Sequence, residues 1–309
     1  MVPIGGFFGL ECWKTPLYHK EGFYLNSCRN ALRYIVKGLG IKRIYIPFFT
    51  CNAVEEALSM ENCEIIKYNL NDDFFPVQKI PTSKFIVYNN YFGLTGEKIK
   101  ELSAIYPNLI VDNAQAFYSH PEGKFSIYSP RKFFGVPDGG ILIGEEIPEM
   151  PLDRGVSYDV CSHLLKRIDL GPEAAYGDFL NNEEIISSYE IKRVSKLTSA
   201  IMGNINYEDA KRKRLDNFSF LHQHLNTSFP MAQSPDDVPL IYPFMAEESE
   251  RIRQKLIENK VFCAKYWPGL KVDGQTTSIE HRMINNLISL PIDQRYDLND
   301  MKYILNIIG

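Results

Sequence analysis

Cysteine is sparse here and follows no pattern. The six cysteines, at positions 12, 28, 51, 63, 161 and 263, make no C-x-x-C pair and no Cys/His spacing suited to zinc. No metal site is expected, and a reduced cytoplasmic setting is. An excess of either charge is also missing: 34 Lys and Arg stand against 38 Asp and Glu, a net charge of -4. Nucleic acid is therefore not an expected partner. No window nears the about 18 uninterrupted apolar residues of a membrane span, and the start "MVPIGGFFGLECW" has no basic region before a long apolar run. Neither export nor membrane insertion is expected. Finally, no G-x-G-x-x-G or P-loop glycine pattern occurs, which removes the simplest α/β nucleotide-binding reading.

What is present is a substantial apolar core. Hydrophobic residues make up 45% of 309, enough for one large domain or two medium ones. Ala31, Leu32, Ile35, Val36 and Leu39 recur with helical spacing, after a cap at Asn26 or Ser27 and before Gly38 and Gly40. "RIYIPFF" then reads as strand, "AVEEALSM" as helix, "EIIKYNL" and "KFIVYNNYFG" as strands, "EKIKELSAIY" as helix and "NLIVDNAQ" as strand. Such alternation implies parallel β-α-β units with ligands at the carboxyl ends of the strands. After about 195 the pattern changes. A long helix is expected through "EDAKRKRLDNFSFLHQHLN", with "KRKR" at 211 to 214 on a solvated face, followed by a polar connection at 228 to 239. Strand, helix, strand, strand and helix are expected at "PLIYPFM", "EESERIRQKLIENK", "VFCAKYWPG", "NLISLPID" and "DLNDMKYILNII".

Three stretches carry possible chemistry. "NLIVDNAQ" drives an apolar run into Asp112, a carboxylate costly to bury unless it meets a cation or a donor; it reads equally as an Asx turn. "NSCRNAL" opens a helix, whose free N–H groups favour an anion. "SPRKFFGVPDGG" sets Lys132 beside Arg131 and ahead of Phe133 and Phe134. A neighbouring cation and desolvation would both favour the neutral, nucleophilic amine. An exposed basic turn is the plain alternative.

In order, "SCRNAL", "IYIPFFTCNAV", "VYNNYFG", "DNAQ" and "FSIYSPRKFFGVPDGG" resemble the large domain of fold-type I pyridoxal-phosphate (PLP) enzymes, most closely the DegT-type sugar aminotransferases. The resemblance is good over residues 22 to 145 and weaker beyond. It implies an α/β fold: a PLP-transferase-like large domain with a mostly parallel sheet over residues 1–194, and a long helix with a smaller C-terminal α+β domain over residues 195–309. It also implies pyridoxal 5'-phosphate as cofactor. Lys132 would bind it as a Schiff base and shuttle a proton, Asp112 would keep the pyridine nitrogen protonated, and Gln115 would lie near the ring. Backbone N–H groups of Cys28 and Arg29, with the Ser126 hydroxyl, would cradle the phosphate.

The departures are specific. Cys51 stands where relatives often carry a stacking aromatic, which leaves Phe49 or another side chain for that role. Ile191 replaces an asparagine that reaches the partner subunit's phosphate. Family spacing to Asp138 admits either Arg131 or Lys132, but arginine cannot form the imine. The activity implied is transfer of an amino group, from glutamate, to a nucleotide-linked keto sugar for surface polysaccharide, by a homodimer. Other PLP chemistry, or a cofactor-free protein that kept the fold, stands as the alternative.

Overall fold

The computed structural model describes residues 6–12, 15–229 and 237–309. The first half runs β1 (Phe23–Leu25), α1 (Cys28–Leu39), β2 (Arg43–Pro47), α2 (Asn52–Met60), β3 (Glu64–Tyr68) and β4 (Phe85–Asn89). It continues with α3 (Gly96–Ile105), β5 (Leu109–Asn113), β6 (Phe125–Tyr128) and β7 (Gly140–Gly144). These strands form one seven-stranded sheet in the order β1-β7-β6-β5-β4-β2-β3. Strands β3, β2, β4, β5 and β6 pair in parallel, and β7 alone runs against its neighbours. The alternation expected from sequence is therefore present.

The helices follow their local signals. Ser27 caps α1 by accepting from the Asn30 N–H at 3.0 Å, and Gly40 ends it with φ 62°. On one sheet face Leu32, Ile35 and Val36 of α1 and Leu58 of α2 meet Ile44, Ile46 and Ile110. The opposite face, with Tyr88, Leu109, Val111 and Tyr128, continues into the apolar residues of the C-terminal elements.

Those elements are α4 (Ser162–Ser187), α5 (Lys196–Met202), α6 (Tyr207–His224), β8 (Ile241–Met245), α7 (Ser249–Glu258), α8 (Ser278–Asn285), β9 (Leu287–Pro291) and α9 (Leu298–Ile308). Strands β8 and β9 form a small antiparallel sheet. Two expectations fail here. "VFCAKYWPG" is not a strand; only Ala264 bridges Ser289, because Tyr266 and Trp267 pack their rings on Phe92 and Phe49 instead of pairing. Nor is all of "KRKR" solvated: Arg214 is only 1% exposed. Part of the polar connection at 228 to 239 lies outside the described residues. Helix α4 had no clear periodicity; Gly171 (φ 83°) and Pro172 break it, and Leu165, Ile168, Leu170 and Tyr176 remain exposed.

The "DGG" turn joins the halves. Asp138, 1% exposed, accepts from the Ser195 hydroxyl at 2.8 Å, from the Ser195 N–H at 3.2 Å and from the Thr198 hydroxyl, at the start of α5. Gly139 has φ 128°, a region that L side chains avoid. At Gly140 a Cβ would lie 2.2 Å from the Ser27 carbonyl and 2.4 Å from the Cys28 nitrogen. Only glycine lets β7 approach the first turn of α1 so closely. Gly140→Ala should destabilise the fold by about 3 kcal/mol, read from the urea unfolding midpoint.

His19 supplies a pH dependence. Its Nε2 lies 2.6 Å from the Phe117 carbonyl oxygen, and its ring lies 4.2 Å from that of Tyr128. Burial pushes its pKa down to about 4, against the hydrogen bond to Phe117 and helped by nearby His120. Its folded value lies below the unfolded one, so its contribution is complete above pH 6.5 and is lost as pH falls toward 4. Stability should fall by about 3 kcal/mol across that window. His19→Gln should flatten the fall; an equally steep dependence in the variant would assign it elsewhere.

Candidate active site

The carboxyl ends of β2, β4 and β5 and the turn after β6 converge beside the start of α1. Asp112 is the fourth residue of β5, and its Oδ1 accepts from the Ala114 N–H at 2.8 Å. The Asx-turn reading was thus correct, yet it uses one oxygen only. Lys132 ends a short 3-10 turn, Pro130–Lys132, and keeps solvent access although protein surrounds it. Cys28 at the first position of α1, Cys51 before α2, Asp112 and Tyr266 all act electrostatically on its amine.

These couplings set the charge state. Desolvation alone would lower the Lys132 pKa, but Cys51, Tyr266, Asp112 and Cys28 together outweigh it and raise the value above the ordinary lysine range. The expectation that Arg131 would depress it fails for a geometric reason: Arg131 turns to α4 and pairs with Glu183. Desolvation raises the Asp112 carboxyl, with Lys132 and the Ala114 N–H opposing it. Burial also lifts the Cys28 thiol well above its usual value, which leaves it a poor nucleophile. A charged amine coupled to a carboxylate, without a direct ion pair among the described residues, is the favoured resting state.

Gln115 is 4% exposed; its Oε1 accepts from the Phe92 N–H at 3.1 Å, while its buried Nε2 has no protein acceptor. A buried amide donor without a partner is costly, and marks a place where an acceptor is missing. Arg29 is tied to Glu56 of α2 at 2.9 Å, which leaves its backbone, not its guanidinium, as the anion-binding candidate. Two expected residues are not brought in. Phe49 is fully buried against Trp267 and Tyr91, with no face left to stack on a ligand. Ser126 is 1% exposed, its hydroxyl donating to the Glu122 carbonyl and accepting from the Glu122 N–H and the Asn113 amide.

Residues far along the chain hold the lysine turn. The Arg214 guanidinium lies 4.4 Å from the Phe133 ring centroid, and its Nε donates to Gln294 Oε1 at 2.9 Å. Gln294 Nε2 in turn donates to the Phe133 carbonyl at 2.6 Å. Arg214 also donates to the Pro239 and Leu240 carbonyls, at 3.3 and 3.2 Å. Burial lowers its pKa to about 10, so it stays charged at neutral pH. Neither Arg214, Gln294 nor Tyr266 carried a local signal.

No protein-family model matches the chain, and no curated protein does. Solved structures match over most of its length. A DegT DnrJ EryC1 StrS aminotransferase from Brucella abortus aligns at TM-score 0.61 and 14% identity, over 93% of this chain and 84% of its own. A Streptococcus pneumoniae protein of the sugar aminotransferase class, in its PLP form, aligns at TM-score 0.65 and 13% identity, over 93% and 86%. DesV of S. venezuelae, solved with a reaction intermediate, aligns at TM-score 0.62 and 16% identity, over 93% and 83%. The fold is therefore the α/β fold of the PLP-dependent sugar aminotransferases, as the motif order implied. At these identities the likeness is one of fold, and the chemistry rests on the site.

Arg214→Ala should cost about 3 kcal/mol, because it strands two carbonyls and Gln294 in the interior. It should also speed hydrogen exchange of the Phe133 and Phe134 amides; unchanged exchange would show that the turn holds itself.

Proposed function

We propose that the protein is a PLP-dependent aminotransferase acting on a keto sugar. The observation that carries this reading is the placement of Asp112 at the end of β5 and of Lys132 in the turn after its parallel neighbour β6, with Arg131 turned away to Glu183. The buried, unpartnered Gln115 Nε2 fits the ring oxygen of that cofactor, and the start of α1, packed on Gly140 with its helix dipole, fits the phosphate. When bound, pyridoxal phosphate supplies an electron sink for the carbon that loses or gains a proton.

The chain's own residues do the rest. Lys132 Nζ would hold the group and would move the proton at the substrate carbon. The free Asp112 oxygen holds a proton on the ring nitrogen. Gln115 Nε2 donates to the ring oxygen, and the Cys28 and Arg29 N–H groups bind the phosphate with the helix dipole behind them. Ser126, committed to Glu122 and Asn113, has no part in this scheme. Together with the buried Phe49 it is what favours the competing reading, a protein that keeps the fold without cofactor.

The substrate is read as nucleotide-linked, with glutamate as donor and surface polysaccharide as the destination. A cavity of about 310 Å³ beside Tyr266, lined by Lys265, Trp267, Lys271 and Asn285 among others and by no acid, supports the anionic, ring-bearing part of that reading. The homodimer is supported by the exposed Ile168, Leu170 and Leu165 on α4, an apolar face suited to a second copy.

Protein mixed with pyridoxal phosphate should turn yellow and retain the label on Lys132 after borohydride reduction. Lys132→Ala should abolish the reducible adduct, and Arg131→Ala should retain it. A reducible adduct that survives in Lys132→Ala overturns the assignment, and no adduct in the wild type favours the cofactor-free reading. In the same preparations light scattering should give twice the chain mass, falling to one chain mass in Ile168→Glu.

A further inference from the structure

Helix α4 reaches the lysine turn from outside. Gly171 and Pro172 break it, and its two arms fold back on each other. Lys166 pairs with Asp178, and the His163 and Phe179 rings have centroids 5.9 Å apart. In a straight helix residues 163 and 179 would stand about 24 Å apart. Phe179, Asn182 and Glu183 are spaced i, i+3 and i+4, so they share one face of the second arm.

That face meets the turn at both ends. Glu183 pairs with Arg131, the residue before Lys132, and Asn182 Nδ2 donates to the Pro137 carbonyl at 3.3 Å. Of the 26 residues of α4 only His163, Ala175, Asn182 and Ile186 are buried, so apolar packing does little to seat the helix. The seam itself is polar and incompletely paired. Arg131 Nε, Asn182 Oδ1 and His163 Nδ1 are buried and have no protein partner, three of the six such atoms among the described residues. Opening the seam would return these groups to water, so α4 separates at lower cost than a fully paired interface would.

The lysine turn is therefore held from two sides. Arg214 and Gln294 act from within on residue 133, and α4 acts from outside on residues 131 and 137. Resting on the reading of Lys132 as the anchoring amine, we propose that Glu183 and Asn182 are positioning residues for it, and that α4 is a latch that fixes where the amine is presented. A cofactor adduct needs the amine in one place, whereas a small acylating reagent needs only its exposure. Release of the latch therefore moves the two reactions in opposite directions.

Glu183→Leu, Asn182→Ala and Glu183→Asp test this, with urea unfolding used to confirm that each folds. Formation of the pyridoxal phosphate adduct at Lys132, trapped by borohydride and read by peptide mass spectrometry, should slow about tenfold in Glu183→Leu and Asn182→Ala, and recover to within about twofold of wild type in Glu183→Asp. Acetylation of Lys132 by trace acetic anhydride, without cofactor, should speed up about threefold in the first two variants, measured against the exposed Lys20. Two rates that move together, or that do not move, overturn the proposal, as does a loss in Glu183→Asp equal to that in Glu183→Leu. Should Asn182→Ala fail to fold, the two Glu183 variants decide, because that side chain is 44% exposed. If wild type forms no adduct with pyridoxal phosphate, the aminotransferase reading fails, and the acetylation rates alone decide whether α4 latches the turn.

Discussion

A buried guanidinium holds the site together. Arg214 comes from the helix that follows the large sheet, yet it lies on the ring of Phe133 and, through Gln294, on the carbonyl of that same residue. Burying such a charge is expensive, and the expense is offset by three acceptors, on Gln294, Pro239 and Leu240, and by the Phe133 ring face. The position of Lys132, one residue earlier, is fixed by that arrangement. Two halves of the chain are thereby registered to each other at the point where the amine is presented.

Two adjacent cations acquire opposite destinies from the same turn. In a tight 3-10 turn successive side chains leave in widely separated directions, so residue 131 and residue 132 cannot face the same partner. Arg131 finds Glu183 on an outer helix, whereas Lys132 finds a carboxylate at a strand end and three weakly acidic groups around it. A planar, permanently charged group suits the first position, and an amine that can lose its proton suits the second. The turn thus sends the two cations to different partners.

Much of this was legible from local pattern. Asp112, Cys28 and Lys132 sit at strand ends and a helix start, and such positions are written in short runs of apolar residues, caps and glycines. Asp138 was legible as part of a motif but not in its role, since the atoms that it binds are about sixty residues away. Phe49 and Ser126 show the limit of carrying roles by sequence position. Each lies on the expected element, but one ring is claimed by the core and the other side chain's hydroxyl by a loop. Tyr266 and Arg214 were misread for the same reason: a polar or aromatic side chain in an unremarkable segment becomes important only when the chain returns to the site. Helix α4 was missed because its apolar residues face outward, so the periodicity that marks a helix against a core is absent.

The carboxylate of Asp138 has a mechanical meaning. It is bonded to both ends of the first turn of α5, and so it welds that helix to the strand behind the lysine turn. A swing of the C-terminal half about residue 195 would have to break several buried bonds at once. The strand behind the amine and the start of the C-terminal half are therefore held as a single rigid anvil.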